Sequence, residues 1–295
     1  MKKFLLLTIT LFFTFSKSQG SELRTSHLYS TAGAGVGATL ISETLILNPA
    51  PMAFAEYSTL SYQKMSADID NPNSLRTTTP THLDKHADMV LITDATSKLK
   101  GGLGYQSFKD NYRFLKRIHT AFATSIDKNS SFGVSYHYSK DLPIVGNEKT
   151  YHQVTLGVLH IANNSLSIGA IIHDPFKANP SDSRFLTGFQ YRVSDHVFIL
   201  GDYGGNFTQT ISETAETRGA LQLLFLNDFF IRFGVFNDKG RNLKGDGMGI
   251  SWVGPRMSLD FSIYNSKSID ENGSPLILFS DEAERLSSFG LSLIF

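Results

Sequence analysis

His137-Tyr138-Ser139 places an imidazole two residues from a hydroxyl, the pairing that activates a serine nucleophile. His82 and His86, with Asp84 between them, are residue types that can approach a cation. Gly33, Gly35 and Gly37 are spaced like a phosphate-cradling loop. Asp202, Arg184, Arg192, Arg232 and Asp260 carry charge on segments that are otherwise apolar on one side. Each of these depends on what positions it.

The positioning elements read as strands. Phe132, Val134, Tyr136 and Tyr138 alternate with Ser131, Gly133, Ser135 and His137, and Met257, Leu259, Phe261 and Ile263 alternate with Ser258, Asp260, Ser262 and Tyr264. Leu166, Ile168, Ala170 and Ile172 repeat the pattern. Side chains on a strand point to opposite faces in turn, so each segment has one apolar and one small or polar face. A helix would spread the serines and glycines all round its cylinder. Strands are expected near 54–65, 86–94, 101–108, 115–126, 130–138, 152–161, 165–173, 184–192, 196–203, 216–226, 229–236, 245–253, 256–264 and 285–295.

That frame weakens the chemistry. His137 opposes the apolar face and so points to an interior, while Ser139 falls at the strand end. His82, Asp84 and His86 sit in or beside a polar loop, read as solvated. The glycines do not lie between a strand and a helix of a parallel unit, so they form no nucleotide loop. The five charged residues line an interior, which is usual for a barrel. No catalytic residue, metal or cofactor is expected.

The chain has 27 basic and 27 acidic residues and no cysteine. Neutrality gives no reason to expect a nucleic-acid partner. Without cysteine there is no disulfide, thiolate metal site or thiol nucleophile. Charged residues are only 18% of the sequence, against about 25% in soluble domains. Lys2 and Lys3 precede an apolar run from Phe4 to Phe15, and Ser16 and Ser18 are small residues placed for cleavage before Gln19. Residues 1–18 therefore read as a secretory signal peptide.

Strand count and links decide the architecture. Fourteen strands of bilayer-crossing length are joined by short links after even strands and mostly longer, polar links after odd ones. This pattern is expected of an all-β, transmembrane antiparallel barrel in a Gram-negative-type outer membrane, with both termini periplasmic. Phe289, Gly290, Leu291, Leu293 and Phe295 resemble the C-terminal insertion signal read by the barrel-assembly machinery, a partner during biogenesis. Tyr57, Tyr105, Tyr138, Tyr191, Tyr203, Trp252 and Tyr264 are expected as anchors at the membrane surface.

Residues 19–53 fit no strand. A run of small residues around Gly33, Gly35 and Gly37 is followed by Asn48-Pro49-Ala50, immediately ahead of the barrel at 54–295. Irregular backbone at membrane depth needs partners on a lumen wall, so this segment is expected as a plug inside the barrel. It resembles the N-terminal hatch of the FadL family, fourteen-stranded channels for long-chain fatty acids and other hydrophobic compounds. That resemblance implies a hydrophobic ligand and a lateral exit where strand pairing is interrupted; Gly101, Gly102 and Gly104 are candidates for such a gap. Two departures stand out: the external loops are short, and Pro51 follows where the family usually has Gly or Ser. Similar segments occur in partners of type IX secretion, so a non-transporting scaffold is the second reading. A general diffusion porin is the third, disfavoured by the plug.

Overall fold

The computed structural model describes residues 24–40, 43–70, 85–110, 113–143, 146–268 and 283–295. The signal-peptide residues 1–18 lie outside them, as do His82 and Asp84.

All fourteen expected strands are present, as β1 (Thr59–Asp70), β2 (Lys85–Asp94), β3 (Lys100–Lys109), β4 (Arg113–Ser125), β5 (Ser130–Pro143), β6 (Lys149–Asn163) and β7 (Leu166–His173). They continue through β8 (Arg184–Ser194), β9 (Val197–Gly205), β10 (Ala215–Phe225), β11 (Phe229–Asp238), β12 (Leu243–Val253), β13 (Met257–Ser268) and β14 (Ala283–Ile294). Each pairs antiparallel with its sequence neighbours, and β14 pairs with β1 to close the barrel. Closure satisfies every strand edge, which an apolar solvent demands.

The period-two pattern resolves into two surfaces. Val90, Ile92, Leu103, Phe122, Phe261 and Phe289 are exposed on the outside, while their neighbours Leu91, Gly104, Ala121, Ser262 and Gly290 are buried on the inside. An exposed apolar belt around a closed barrel is the wall of a transmembrane protein. Phe289, Leu293 and Phe295 lie on the exposed outer side, and the Phe295 N–H donates to the Ser58 carbonyl at 2.9 Å. Tyr264 departs from the expected ring of surface anchors: its even-numbered position turns it inward, where it stacks on Phe236 at 5.5 Å between centroids.

The turns after even strands are short because side chains close them. Asp127 accepts the N–H groups of Asn129 and Ser130, each at 2.7 Å, and these bonds hold its carboxyl below the usual carboxylate range. Asn163 does the same for Ser165 and Leu166. Leu226 and Asn227 both adopt positive φ, the geometry of a tight hairpin. Two links on the other side are shorter than expected. Asp110, just past β3, accepts the N–H of Arg113, which opens β4, at 2.8 Å, and Asp238 accepts that of Arg241 at 3.0 Å, pinching β11–β12 into a tight turn.

The first strand begins later than expected. Ala50–Phe54 form a 3-10 turn, with Met52 and Ala53 buried, and the ladder starts only at Thr59. Pro51 cannot donate to a ladder and fits the start of a helical turn. Ser139 is not a strand end, since β5 runs on to Pro143.

Candidate functional site: the lumen and its N-terminal segment

Residues 24–40 and 43–55 pack against the inward faces of the wall. Helix α1 (Ser26–Ser30), capped by Thr25 Oγ1 accepting the Leu28 N–H at 3.1 Å, lies against β11 to β14. The 3-10 turn lies against β3 to β6. So short a segment cannot fold on its own; the wall supplies its partners.

Three anchors are specific. Asp202 accepts the N–H of Gly35 at 2.9 Å and that of Val36 at 3.2 Å. Arg218 donates to the Gly33 carbonyl at 2.8 Å and is paired with Glu216 at 2.5 Å. Asn48 donates to the carbonyls of Val36 at 2.7 Å and Val158 at 3.3 Å, while its own oxygen accepts the Ala50 N–H at 3.0 Å. Burying this much charge is tolerable only because each group is hydrogen-bonded.

The wall makes room with glycine. A Cβ on Gly133 would sit 2.6 Å from Pro49, one on Gly157 2.8 Å from Pro49 Cδ, and one on Gly188 3.0 Å from Val36 Cβ. In return, Gly37 approaches the Gly188 carbonyl so closely that its own Cβ would lie 2.6 Å away. Gly33 adopts φ +87°, a conformation that favours glycine. Gly33, Gly35, Gly37, Asn48, Pro49 and Ala50 are thus all part of one contact surface between segment and wall.

Beside the segment lies a cavity of about 610 Å³. Leu28, Ile46, Leu47, Ile171 and Leu186 line it with apolar surface, and Arg24, Arg113, Arg117, Arg184, Arg218, Arg241 and Lys149 line it with positive charge. Asp141, Asp182, Glu216 and Asp238 supply the negative side groups. Arg184 and Arg241 approach Asp182 at 3.9 and 3.5 Å. Burial by itself would raise the Asp182 pKa, but Arg241, Arg184 and Arg117 outweigh it and hold the carboxyl below its ordinary value.

His137 faces the interior, fully buried. Its Nδ1 meets His119 Nδ1 at 2.8 Å, and its Nε2 meets Ser135 at 3.0 Å and Thr155 at 3.1 Å. With the Gln106 oxygen 3.2 Å from His119 Nε2, the His119 proton sits on Nε2 and His137 donates from Nδ1. Ser139 is engaged by Arg117 Nε at 2.7 Å. The His-x-Ser spacing therefore builds a hydrogen-bonded chain on the lumen wall, with the histidine and the serine bonded to different partners.

Other expected residues fall elsewhere. Arg184, Arg232 and Asp202 are buried in the lumen, and Asp260 pairs with Arg232 at 3.4 Å. Arg192 lies exposed at the end of β8, in register with Phe198 and just before a register shift, and pairs with Asp195 at 2.6 Å. His86 is exposed on the outer face of β2. Gly101, Gly102 and Gly104 carry continuous ladders to both β2 and β4, so the expected interruption of β3 is not present in this conformation. Among the described residues, no group of three His, Asp or Glu has a metal-binding arrangement.

Sequence reasoning missed Arg218 and Glu216, which carry an anchor. Their signal was in the alternation Glu216, Arg218, Ala220, Gln222 on one face of β10.

No protein-family model and no curated protein matches the chain's sequence. Solved structures do. The CymD monoaromatic hydrocarbon channel is 12% identical with a TM-score of 0.67, covering 92% of this chain and 97% of that one. The Ralstonia pickettii toluene transporter TbuX (9% identity, TM-score 0.66) and the Pseudomonas putida toluene transporter TodX (8%, 0.64) each cover 92% of this chain and are covered over 98% of their own. The chain has the closed barrel fold of these hydrocarbon channels and transporters.

Proposed function

We propose that the chain is an outer-membrane channel for hydrophobic small molecules of the long-chain fatty-acid type, closed by its N-terminal segment acting as a hatch. The observation that carries this reading is the segment itself. It is held to the wall by Asp202, Arg218 and Asn48 and directly adjoins a cavity that is apolar on one side and cationic on another. An apolar lining receives a hydrocarbon tail, and arginines receive a carboxylate through charge-assisted hydrogen bonds.

The rest of the reading follows from it. Residues 1–18 are the export signal, 19–53 the hatch and 54–295 the barrel. Both termini lie on the periplasmic side, where the short turns are. Phe289, Gly290, Leu291, Leu293 and Phe295 direct assembly. Passage through the barrel would then require the hatch to shift, a reading supported by its contacts with β11–β14 on one side and β3–β6 on the other.

The test is uptake of labelled oleate into proteoliposomes by the intact protein and by a form lacking residues 19–47. Saturable uptake by the intact protein, and non-selective leakage of ions through the truncated one, is the expected result. No uptake by an intact, sealed barrel would favour the second reading, a scaffold for an envelope complex, and a pull-down in mild detergent would then seek its partner.

A further inference from the structure

The outer face carries an electrostatic arrangement that neither the barrel nor the lumen explains. Lys244 on β12 stands directly opposite Lys267 on β13, and Lys116 on β4 directly opposite Lys140 on β5. Lys244, Lys267 and Lys116 are exposed, and Lys140 is half-exposed. Like charges directly opposite one another weaken a strand pair. Both pairs lie at the strand ends remote from the short turns, just beyond the apolar belt marked on that side by Met248 and Ile118. At the short-turn ends, no two like charges stand directly opposite among the described residues.

The interior shows how the protein treats such a pair when it must neutralise it alone. Glu216 stands opposite Asp238, and Arg218, Arg184 and Arg241 close on the two carboxylates at 2.5, 3.5 and 3.8 Å. Outside, the protein provides less. Lys140 is paired with Glu148 at 2.8 Å, and Lys116 lies over the Phe114 ring at 4.9 Å. The carboxylate two residues from Lys244, Asp246, accepts the Asn265 side-chain amide at 3.0 Å.

We infer that the two lysine pairs are docking points for phosphate-bearing lipid headgroups of the leaflet on the long-link side. A lysine stem lies along apolar surface while its ammonium reaches the headgroup layer. A phosphate between two ammonium groups turns a repulsive cross-strand pair into a bridged one, with the acyl chains on the belt below. This inference rests on the membrane-spanning wall and not on what the channel carries.

The test follows thermal unfolding of the refolded full chain in dodecyl maltoside, with phosphatidylglycerol or phosphatidylcholine added and with inorganic phosphate as a third arm. The variants are Lys267→Gln, Lys116→Gln, and the two together. In detergent alone each variant is expected to unfold at or above the parent's temperature, because repulsion is relieved; this also verifies folding. Phosphatidylglycerol is expected to raise the parent's midpoint more than phosphatidylcholine does. The combined variant, which loses one lysine from each site, should need roughly fivefold more phosphatidylglycerol for the same rise, at about 1 kcal/mol per lysine at a lipid surface. An equal response of parent and combined variant, or a parent that does not distinguish the two lipids, overturns the inference. So does a rise of the same size with inorganic phosphate, which would make the site one for a free anion.

Discussion

Asp202, on the ninth strand, accepts the backbone N–H of Gly35 at 2.9 Å from 167 positions away in the sequence. With the Val36 N–H on the same carboxylate, the wall holds the N-terminal segment at one defined point. Asp202→Ala leaves both N–H groups buried and unpaired, at a cost of about 2–3 kcal/mol. The expected outcome is a barrel that still folds but conducts ions in a planar bilayer, because the segment is released. Conductance equal to the parent's would show that Asp202 is not a latch.

The wall glycines give a steric version of the same test. Gly157→Val puts atoms where Asn48 and Pro49 already lie, and overpacking costs typically about 1–3 kcal/mol. Protease should then cut the N-terminal segment while the barrel keeps its heat-modifiable migration. A substitution at Gly219, which has nothing within 4 Å of its Cβ position, should leave the segment protected.

Fourteen strands, their order and their two faces were legible because a wall with lipid outside and side chains inside imposes period two at every residue. Asn48-Pro49-Ala50 and the glycine run were legible as a non-strand unit for the converse reason: they lack that period. What was not legible was pairing across distance. Nothing local tells Asp202 from Asp260, yet one holds Gly35 and Val36 while the other meets Arg232. The start of the first strand was misplaced because Phe54 to Ser58 look extended, whereas burial of Met52 and Ala53 draws the chain into a turn. Tyr264 shows a similar limit: proximity to a strand end suggested a surface anchor, and parity put it inside.

The cationic side of the cavity should select the ligand's head. Arg117→Gln removes one charged donor from the wall, worth about 1.5–3 kcal/mol if it meets a carboxylate. Half-saturation of oleate uptake is expected to rise roughly tenfold or more, with uptake of oleyl alcohol unchanged. An equal effect on acid and alcohol would place Arg117 in structure alone.

The link between β7 and β8 should loosen in acid. The Asp182 carboxyl is held below its ordinary 3.8 by Arg241 and Arg184, against the opposing effect of burial. A depressed carboxylate contributes stability that is fully present above its unfolded value, and loses it as pH falls through the folded one. Proteolysis at Asp174–Ser183 by an acid-active protease should therefore accelerate below pH 3.8, and Asp182→Asn should flatten that dependence. A steeper dependence in the variant would contradict the assignment.

The absence of cysteine from the sequence permits the most direct test of a moving hatch. Ala34 in the segment and Ala220 on β10 share one apolar cluster. In a variant with both changed to cysteine, oxidation ties the segment to the wall and reduction frees it. Oleate uptake into proteoliposomes should fall to background when the tie is formed and return when it is reduced. Undiminished uptake by the fully cross-linked protein would contradict passage through a hatch that has to shift.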